Sequence, residues 1–181
     1  MGDFEIVGES TIHRGYTISL SKVFMRDPEG VLHERDVVRH PGAVSVVALD
    51  GDDVVMVRQY RVAAQRFLLE IPAGKLDVPG EDPMECAARE LAEEIGMSTT
   101  NLEHLTSLYL SPGFADELHH IYLARDLAHL DAGSAPDGAE ERHMAIVRVP
   151  LSNVPDMIQS GELCDAKTII GCTLALAMQR D

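Results

Sequence analysis

Three glutamates, Glu90, Glu93 and Glu94, fall within five positions of one another and directly follow Arg89. The apolar periodicity around them predicts an amphipathic helix from about residue 82 to 95. On that helix Glu90 and Glu94 are four positions apart, where like charges repel unless a positive charge offsets them. Carboxylate oxygens are the ligands that Mg²⁺ and Mn²⁺ prefer. The spacing therefore predicts a divalent-metal site on this helix.

The predicted helix has one apolar stripe, and its carboxylates lie at the edge of that stripe. The stripe comprises five residues that follow the i, i+3, i+4, i+7 rule: Met84, Ala87, Ala88, Leu91 and Ile95. On a helical wheel Glu90 and Glu94 share one shoulder of the stripe, about 40° apart, with Glu93 on the outer side. Arg89 is four positions from both Glu85 and Glu93 and can bridge either one. The pattern fits metal ligands with supporting partners beside them.

An acidic run on a helix is most often a solvated surface without chemistry. Here the run belongs to a longer arrangement with fixed offsets, whose members are Gly74, Glu81, Arg89, Glu90, Glu93, Glu94 and Gly96. This arrangement closely resembles the Nudix box, the signature of Nudix hydrolases. That box has a glycine, five residues, a glutamate, seven residues, and then Arg-Glu-apolar-x-Glu-Glu-x-Gly. Six residues separate Gly74 from Glu81 in this chain, so its loop carries one extra residue near Pro79 and Gly80.

The resemblance implies a fold and a reaction. The fold is α+β, a mixed β-sheet between helices, and the reaction hydrolyses a nucleoside diphosphate linked to another group. By resemblance, Glu90 and Glu94 ligate Mg²⁺ or Mn²⁺, and the backbone carbonyl of Ala73 is a further ligand. Glu93 contributes to an additional ion and counts, with Arg89, among the catalytic residues. Glu81 has a supporting role.

Segments outside the box resemble one subgroup, the ADP-ribose pyrophosphatases. Pro112 lies 15 residues after Met97, where that subgroup typically has a proline, and residues 111–117 resemble its mobile catalytic loop. The similarity runs from about residue 30 to 125, with matching segments at 34–36, 40–44, 57–61 and 70–74 and weaker agreement at 165–168. The resemblance implies an enzyme that converts ADP-ribose to AMP and ribose 5-phosphate.

The same resemblance suggests residues that act on the substrate. Glu117 is the candidate to orient or deprotonate the attacking water. Weaker candidates for this base are Asp116, Glu140 and Glu141. Arg35 and Arg61 are candidates to contact phosphate or ribose, although a strand-end arginine is as often an ion-pair partner. Gly113 and Phe114 are candidates for substrate contact in the loop, where an aromatic residue equally often packs on its own loop.

Composition limits the classes of partner. The formal net charge is −15 and the chain has no tryptophan, so we expect no nucleic-acid partner. The longest apolar runs, such as 44–49, are strand-sized, and no signal peptide is visible, so we expect no membrane partner. Three cysteines without a C-x-x-C pair indicate free thiols in a reducing compartment, and we predict a cytoplasmic protein.

The order of elements predicts two parts. Segments 16–25 and 31–39 flank the turn Asp27-Pro-Glu-Gly30 and predict a β-hairpin arm within residues 1–40. Two strands alone bury too little surface to be stable, so this arm must pack on the main body or on a second subunit. Because the family that the chain resembles often swaps such an arm, we predict a homodimer. The catalytic domain is expected at 41–181. Its predicted elements are a hairpin at 44–49 and 54–59, strands at 67–71, 102–110, 118–124 and 144–149, and short helices at 151–160 and 166–179.

Two alternative functions remain open at this stage. One is a hydrolase of broader specificity that accepts other nucleoside diphosphate sugars as its small-molecule partner. The other is a non-catalytic Nudix-like protein that senses ADP-ribose. Such sensors typically lose box carboxylates, whereas Glu90, Glu93 and Glu94 are all present. The carboxylates therefore favour an enzyme.

Overall fold

The structure is a computed structural model that describes residues 2–130 and 143–179. The chain forms two compact units. The first unit contains the chain up to Gly42 together with Leu108–His119, and the second contains Ala43–Ser107 and the chain from His120 onward. The grouping of 108–119 with the N-terminal residues was not predicted from the sequence, and the division into an arm and a catalytic domain stays a prediction.

The first unit is built on an antiparallel three-stranded sheet: β1 (Glu5–Arg14), β2 (Ser19–Arg26) and β3 (Leu32–Arg39). The β2–β3 hairpin was expected, and its turn is fixed by Asp27, whose carboxylate accepts hydrogen bonds from the backbone amides of Val31 at 2.8 Å and Glu29 at 3.1 Å. Gly30 takes the left-handed φ of 85° that closes this turn. Strand β1 was missed because almost all of its side chains are exposed, so no apolar alternation marks it.

The remaining strands form a seven-stranded sheet and a small ribbon. They are β4 (Ala43–Asp50), β5 (Asp53–Arg61), β6 (Arg66–Glu70), β7 (Ala73–Lys75), β8 (Met97–Ser98), β9 (Asn101–Tyr109), β10 (Leu118–Arg125), β11 (Ala128–His129) and β12 (Ala145–Pro150). The large sheet has the order β12-β5-β4-β10-β9, with β6 on β5 and β7 on β4, and β8 pairs with β11. The predicted strand at 67–71 is shifted by one residue, and Phe67 is exposed rather than buried.

The described part of the second unit also contains three α-helices: α1 (Pro83–Ile95), α2 (Val154–Ser160), preceded by a 3₁₀ turn at Leu151–Asn153, and α3 (Ala166–Met178). Helix α1 begins at Asp82, whose carboxylate accepts a hydrogen bond from the Met84 amide at 2.8 Å, and ends at Gly96 in the left-handed conformation. Its bounds agree with the predicted helix. Its buried stripe is different, because Cys86 is buried while Ala88 and Met84 are exposed.

Helices α1 and α3 pack on opposite faces of the sheet. Val44, Val46 and Ala48 of β4 belong to the core cluster that contains α1. Val47, which alternates with them, lies under α3, where a Cβ added to Gly171 would approach its side chain at 2.8 Å. The predicted mixed sheet between helices is therefore observed. Within the described residues, none of the helices has the length and apolar character needed to cross a bilayer.

Candidate active site

Arg89 connects the carboxylates of the box. Its Nε and one terminal nitrogen donate to both oxygens of Glu81 at 2.9 and 3.0 Å, which is a bidentate pair. The other terminal nitrogen donates to Glu90 at 2.7 Å and Glu93 at 3.0 Å. The helical spacing allowed Arg89 to bridge either Glu85 or Glu93. Among the described contacts, Arg89 forms its hydrogen bond with Glu93. Arg89 therefore fixes three side chains of the box at once, and its charge lowers the pKa of Glu81.

Gly74 leaves the space that the Glu90 carboxyl group occupies. A Cβ at position 74 would lie 1.9 Å from both Cδ and Oε1 of Glu90, closer than any side chain tolerates. Strand β7 holds Gly74 in place by pairing it with Val44 of β4. The glycine at the start of the box is thus required by a close approach between a strand and a helix side chain.

Glu94 is held against the same short strand. The backbone amide of Ala73 donates a hydrogen bond to Glu94 Oε2 at 2.9 Å. The pKa of Glu94 is raised to about 8, mainly by burial and also by the nearby Glu90 carboxylate, although the Ala73 amide and Arg61 act in the opposite direction. Burial likewise raises the pKa of Glu90. Two adjacent carboxylates that resist ionisation form a site where a cation would be favourable.

These groups line one cavity of about 310 Å³ in the second unit. Its acidic side chains include Glu90, Glu93 and Glu94, and its basic side chains include Arg61 and Arg89. A wall that carries both signs of charge suits a divalent cation together with an anionic substrate.

The residues present fit a divalent metal ion. Glu90, Glu94 and Ala73 line the same cavity, and carboxylate and backbone carbonyl oxygens are the donors that Mg²⁺ and Mn²⁺ take. Among the described residues, no three His, Cys, Asp or Glu side chains are already gathered around one point, and Arg89 forms hydrogen bonds with both Glu90 and Glu93. Mg²⁺ does not need such a cage, since it is commonly bound by one or two carboxylates, waters and substrate phosphates.

Arg61 lies at the cavity in an ion pair that the sequence did not identify. Its guanidinium donates to both oxygens of Glu70, each at 2.7 Å. Glu70 is only 1 % exposed and also accepts a hydrogen bond from Lys167. Arg61 lines the cavity while it is paired with Glu70. The predicted contact between Arg61 and the substrate stays a prediction. Glu70 and Lys167 were missed as site residues, although both lie in segments whose similarity to the subgroup was visible.

The first unit contains the other predicted site residues that the structure describes. Asp116 accepts hydrogen bonds from the Arg39 guanidinium at 2.9 Å and the His40 amide at 2.8 Å, so it has a structural partner on each oxygen. Phe114 is exposed, and the chain beside it is tied to β3 by the Val38 amide, which donates to the Phe114 carbonyl at 2.7 Å. Gly113 has open space where a side chain would be, and Arg35 is exposed on β3.

Glu117 lies beside a buried histidine. Its Oε1 is 3.5 Å from Nδ1 of His119, and His119 is 2 % exposed. The Nε2 atom of His119 has no hydrogen-bond partner among the described residues. Of these two predicted bases, Glu117 lies beside a histidine. Both carboxylate oxygens of Asp116 accept hydrogen bonds from other residues of the first unit. Glu140 and Glu141 lie outside the described residues.

The raised pKa of Glu94 predicts a pH-dependent stability in EDTA. A glutamate in the unfolded chain titrates near its ordinary value of 4.5, whereas the pKa of Glu94 in the folded protein is about 8. Between these values the folded protein holds a proton that the unfolded chain has lost. The contribution of Glu94 to the free energy of unfolding therefore falls as the pH rises from about 4.5 to about 8.

Thermal unfolding in EDTA across this pH range measures the effect. We expect the difference in Tm between wild type and Glu94→Gln to change steadily across the window, with wild type losing stability relative to the variant as the pH rises. Equal pH slopes for the two proteins would show that Glu94 is not held neutral by burial. Added Mg²⁺ should reduce this loss of wild-type stability at high pH, because the ion binds the ionised carboxylate.

The chain is similar to known proteins along most of its length. A profile of the NUDIX domain matches residues 39–167. The chain is 39 % identical over 163 residues to an ADP-ribose pyrophosphatase of Bacillus subtilis, covering 90 % of this chain and 86 % of the relative. It is 38 % identical to a methanol dehydrogenase activator of Bacillus methanolicus, covering 88 % and 85 %. A crystal structure described as an ADP compounds hydrolase matches the fold with a TM-score of 0.85 at 24 % identity, covering 99 % and 96 %.

Proposed function

This chain belongs to the Nudix family, and from that premise we propose that it hydrolyses the diphosphate bond of ADP-ribose to AMP and ribose 5-phosphate, with Mg²⁺ as the ion. The observation that carries the proposal is the 310 Å³ cavity that combines Glu90, Glu94 and Arg61. The similarity to an ADP-ribose pyrophosphatase over most of both chains supports the choice of substrate.

Each group has a defined part in this reaction. Glu90 and Glu94 would hold a divalent ion, which when bound would neutralise charge on the diphosphate oxygens. Arg89 keeps Glu90 and Glu81 in place. Arg61 binds a phosphate oxygen through a charge-assisted hydrogen bond. Glu117 removes the proton from the attacking water.

A coupled assay tests the proposal. The protein is incubated with Mg²⁺ and a panel of ADP-ribose, ADP-glucose, GDP-mannose and ATP, and released AMP or other monophosphates are measured. We expect ADP-ribose to give the highest kcat/KM and EDTA to abolish the reaction. Similar turnover of all the diphosphate sugars would favour the broader hydrolase. Tight ADP-ribose binding without turnover would favour the sensor and contradict the proposal.

Glu117→Gln tests the assignment of the base. Removing a general base typically lowers the rate by about 10² to 10⁴-fold, so we expect kcat to fall in that range while KM for ADP-ribose changes little. Glu162→Gln, which alters an exposed glutamate preceding α3, is the matched control and should keep wild-type kcat. A Glu117→Gln variant with wild-type kcat at all pH values would remove Glu117 from the mechanism.

The apolar surface of the N-terminal arm supports a homodimer. Ile6 and Ile12 on the first strand are 62 % and 53 % exposed, Phe4 just before the strand is 64 % exposed, and Tyr16 after it is fully exposed. An apolar surface of this kind commonly marks a protein–protein interface. Analytical ultracentrifugation should give a dimer of about twice the 19.8 kDa chain mass. A monomer at micromolar concentration would refute this part of the proposal.

We further propose that the protein works in the cytoplasm. Its three cysteines are unpaired, with Cys86 and Cys172 buried and Cys164 exposed, as is common for chains from a reducing compartment. Alkylation of the unfolded protein without reductant should modify all three thiols. A disulfide in freshly purified protein would argue against this location.

A further inference from the structure

The first turn of α3 is joined to the strand segment that carries the cavity wall. Thr168 is completely buried and Lys167 is 7 % exposed, although both have polar side chains. Their hydrogen-bond partners, Ile71 and Glu70, lie 97 positions away along the sequence. Burying a hydroxyl and an ammonium group costs free energy unless both groups form hydrogen bonds. The hydrogen bonds of Thr168 and Lys167 offset this cost.

Thr168 holds the backbone next to the candidate metal ligands. Its hydroxyl oxygen accepts a hydrogen bond from the Ile71 amide at 3.0 Å and donates one to Asp165 at 2.5 Å. The following residue, Pro72, has no amide hydrogen, and its carbonyl accepts from Val46 at 2.9 Å. The next residue is Ala73, which binds Glu94 through its amide. Thr168 thus fixes one end of a three-residue segment whose other end contacts the site.

Lys167 forms a hydrogen bond with Glu70, the residue that precedes Ile71. Its ammonium group donates to Glu70 and, at 3.0 Å, to Asp165. Glu70 in turn forms the bidentate pair with Arg61 at the cavity wall. A second cation on Glu70 means that Arg61 is not the only group that neutralises this buried carboxylate. Arg61 then keeps more of its attraction for an anion in the cavity.

We propose that Thr168 and Lys167 are positioning residues of the active site: Thr168 sets the Ile71–Ala73 backbone and thereby metal affinity, and Lys167 sets Glu70 and Arg61 and thereby substrate affinity. The Thr168 half of this inference rests on the proposed metal site, and the Lys167 half rests on the proposed substrate. A purely structural role predicts a different result, in which the variants unfold at lower temperature but bind ions and substrate normally once folded.

The first experiment measures Mn²⁺ affinity by electron paramagnetic resonance, which needs no substrate. Thr168→Val keeps the shape of the side chain and removes the hydroxyl. Loss of an outer partner of a metal site typically weakens metal binding by about 10 to 100-fold, and we expect a Kd change in that range. Thr168→Ser should restore affinity because it retains the hydroxyl. Thr173→Val, which removes an exposed hydroxyl from the same helix, is the control.

Folded Thr168→Val protein with wild-type Mn²⁺ affinity would overturn the Thr168 half of the proposal. If Thr168→Val does not fold, Thr168→Cys takes its place, because a thiol fills the site and hydrogen-bonds weakly. Wild-type Mn²⁺ affinity in Thr168→Cys would also overturn the Thr168 half of the proposal. Since ion binding is read without hydrolysis, failure here is distinct from failure of the ADP-ribose assignment.

The second experiment measures kcat and KM for ADP-ribose in Lys167→Met and Lys167→Arg. We expect Lys167→Met to raise KM about tenfold, the order expected for one charge-assisted interaction, with kcat little changed. Lys167→Arg keeps the charge and should have a KM closer to wild type. An unchanged KM in Lys167→Met, or a fall in kcat alone, would overturn this half. Wild type that fails to hydrolyse ADP-ribose would instead refute the proposed function, leaving Mn²⁺ affinity to decide the role of Thr168.

Discussion

Glu94→Gln is expected to lower kcat for ADP-ribose by about 10³-fold, since an active-site metal supplies several kcal/mol of charge stabilisation and each 1.36 kcal/mol is tenfold in rate. The amide retains an oxygen but loses the negative charge that holds the ion. The reason to choose Glu94 is its environment. Burial raises its pKa to about 8, so a neutral glutamine fits the site of the ion-free protein without a folding penalty.

The expected signature is therefore a loss of activity without a loss of stability. Thermal unfolding in EDTA at neutral pH should give a Tm for Glu94→Gln at or above that of wild type, while Mg²⁺ should stabilise the variant less. Glu85→Gln, on the exposed first turn of the same helix, is the matched control and should keep wild-type kcat. Wild-type turnover in Glu94→Gln would remove this residue from the metal site.

Gly74→Ala is the second change with a large expected effect. The new methyl group would lie 1.9 Å from the Glu90 carboxyl, so either the helix side chain or strand β7 must move. A displacement of about 1 Å near the chemistry can cost about 10²-fold in rate, and overpacking of this kind typically costs about 1–3 kcal/mol of stability. We expect kcat/KM to fall by about two orders of magnitude and the Tm to decrease.

Gly8→Ala provides the control for the added methyl group. A Cβ at Gly8 would be 3.8 Å from the ring of Phe24, an ordinary contact, and the residue lies on β1 outside the site. This variant should keep both activity and Tm. Full activity in Gly74→Ala would mean that Glu90 can leave its place against β7 without consequence, which contradicts its role as a ligand.

Local signals in the sequence predicted the elements that carry the site. The apolar period predicted the bounds of α1, which the structure shows to be capped by Asp82 and Gly96. The family and the α+β fold indicated by the box are confirmed. The buried stripe of α1 was predicted incompletely. Ala88 and the small apolar Cys86 are two positions apart, and hydrophobicity alone does not decide which of them faces the sheet.

The contacts that were missed are long-range. Glu70, Lys167 and Thr168 belong to one hydrogen-bonded group, yet 97 positions separate the strand residues from the helix residues. No helical or strand period connects such positions, so spacing cannot reveal them. The charge of Glu70 in the otherwise apolar segment 67–71 was the available signal, because a buried carboxylate requires cationic partners.

A crystal structure with Mn²⁺ tests the central claim most directly, because anomalous scattering locates the ion independently of any assay. We predict an anomalous peak in the cavity within about 2.0–2.2 Å of carboxylate oxygens of Glu90 and Glu94 and near the Ala73 carbonyl, as hard divalent ions bind oxygen. Arg89 should keep its pair with Glu81. A crystal that binds Mn²⁺ elsewhere, with Glu90 still held only by Arg89 and Glu94 only by the Ala73 amide, would contradict the account.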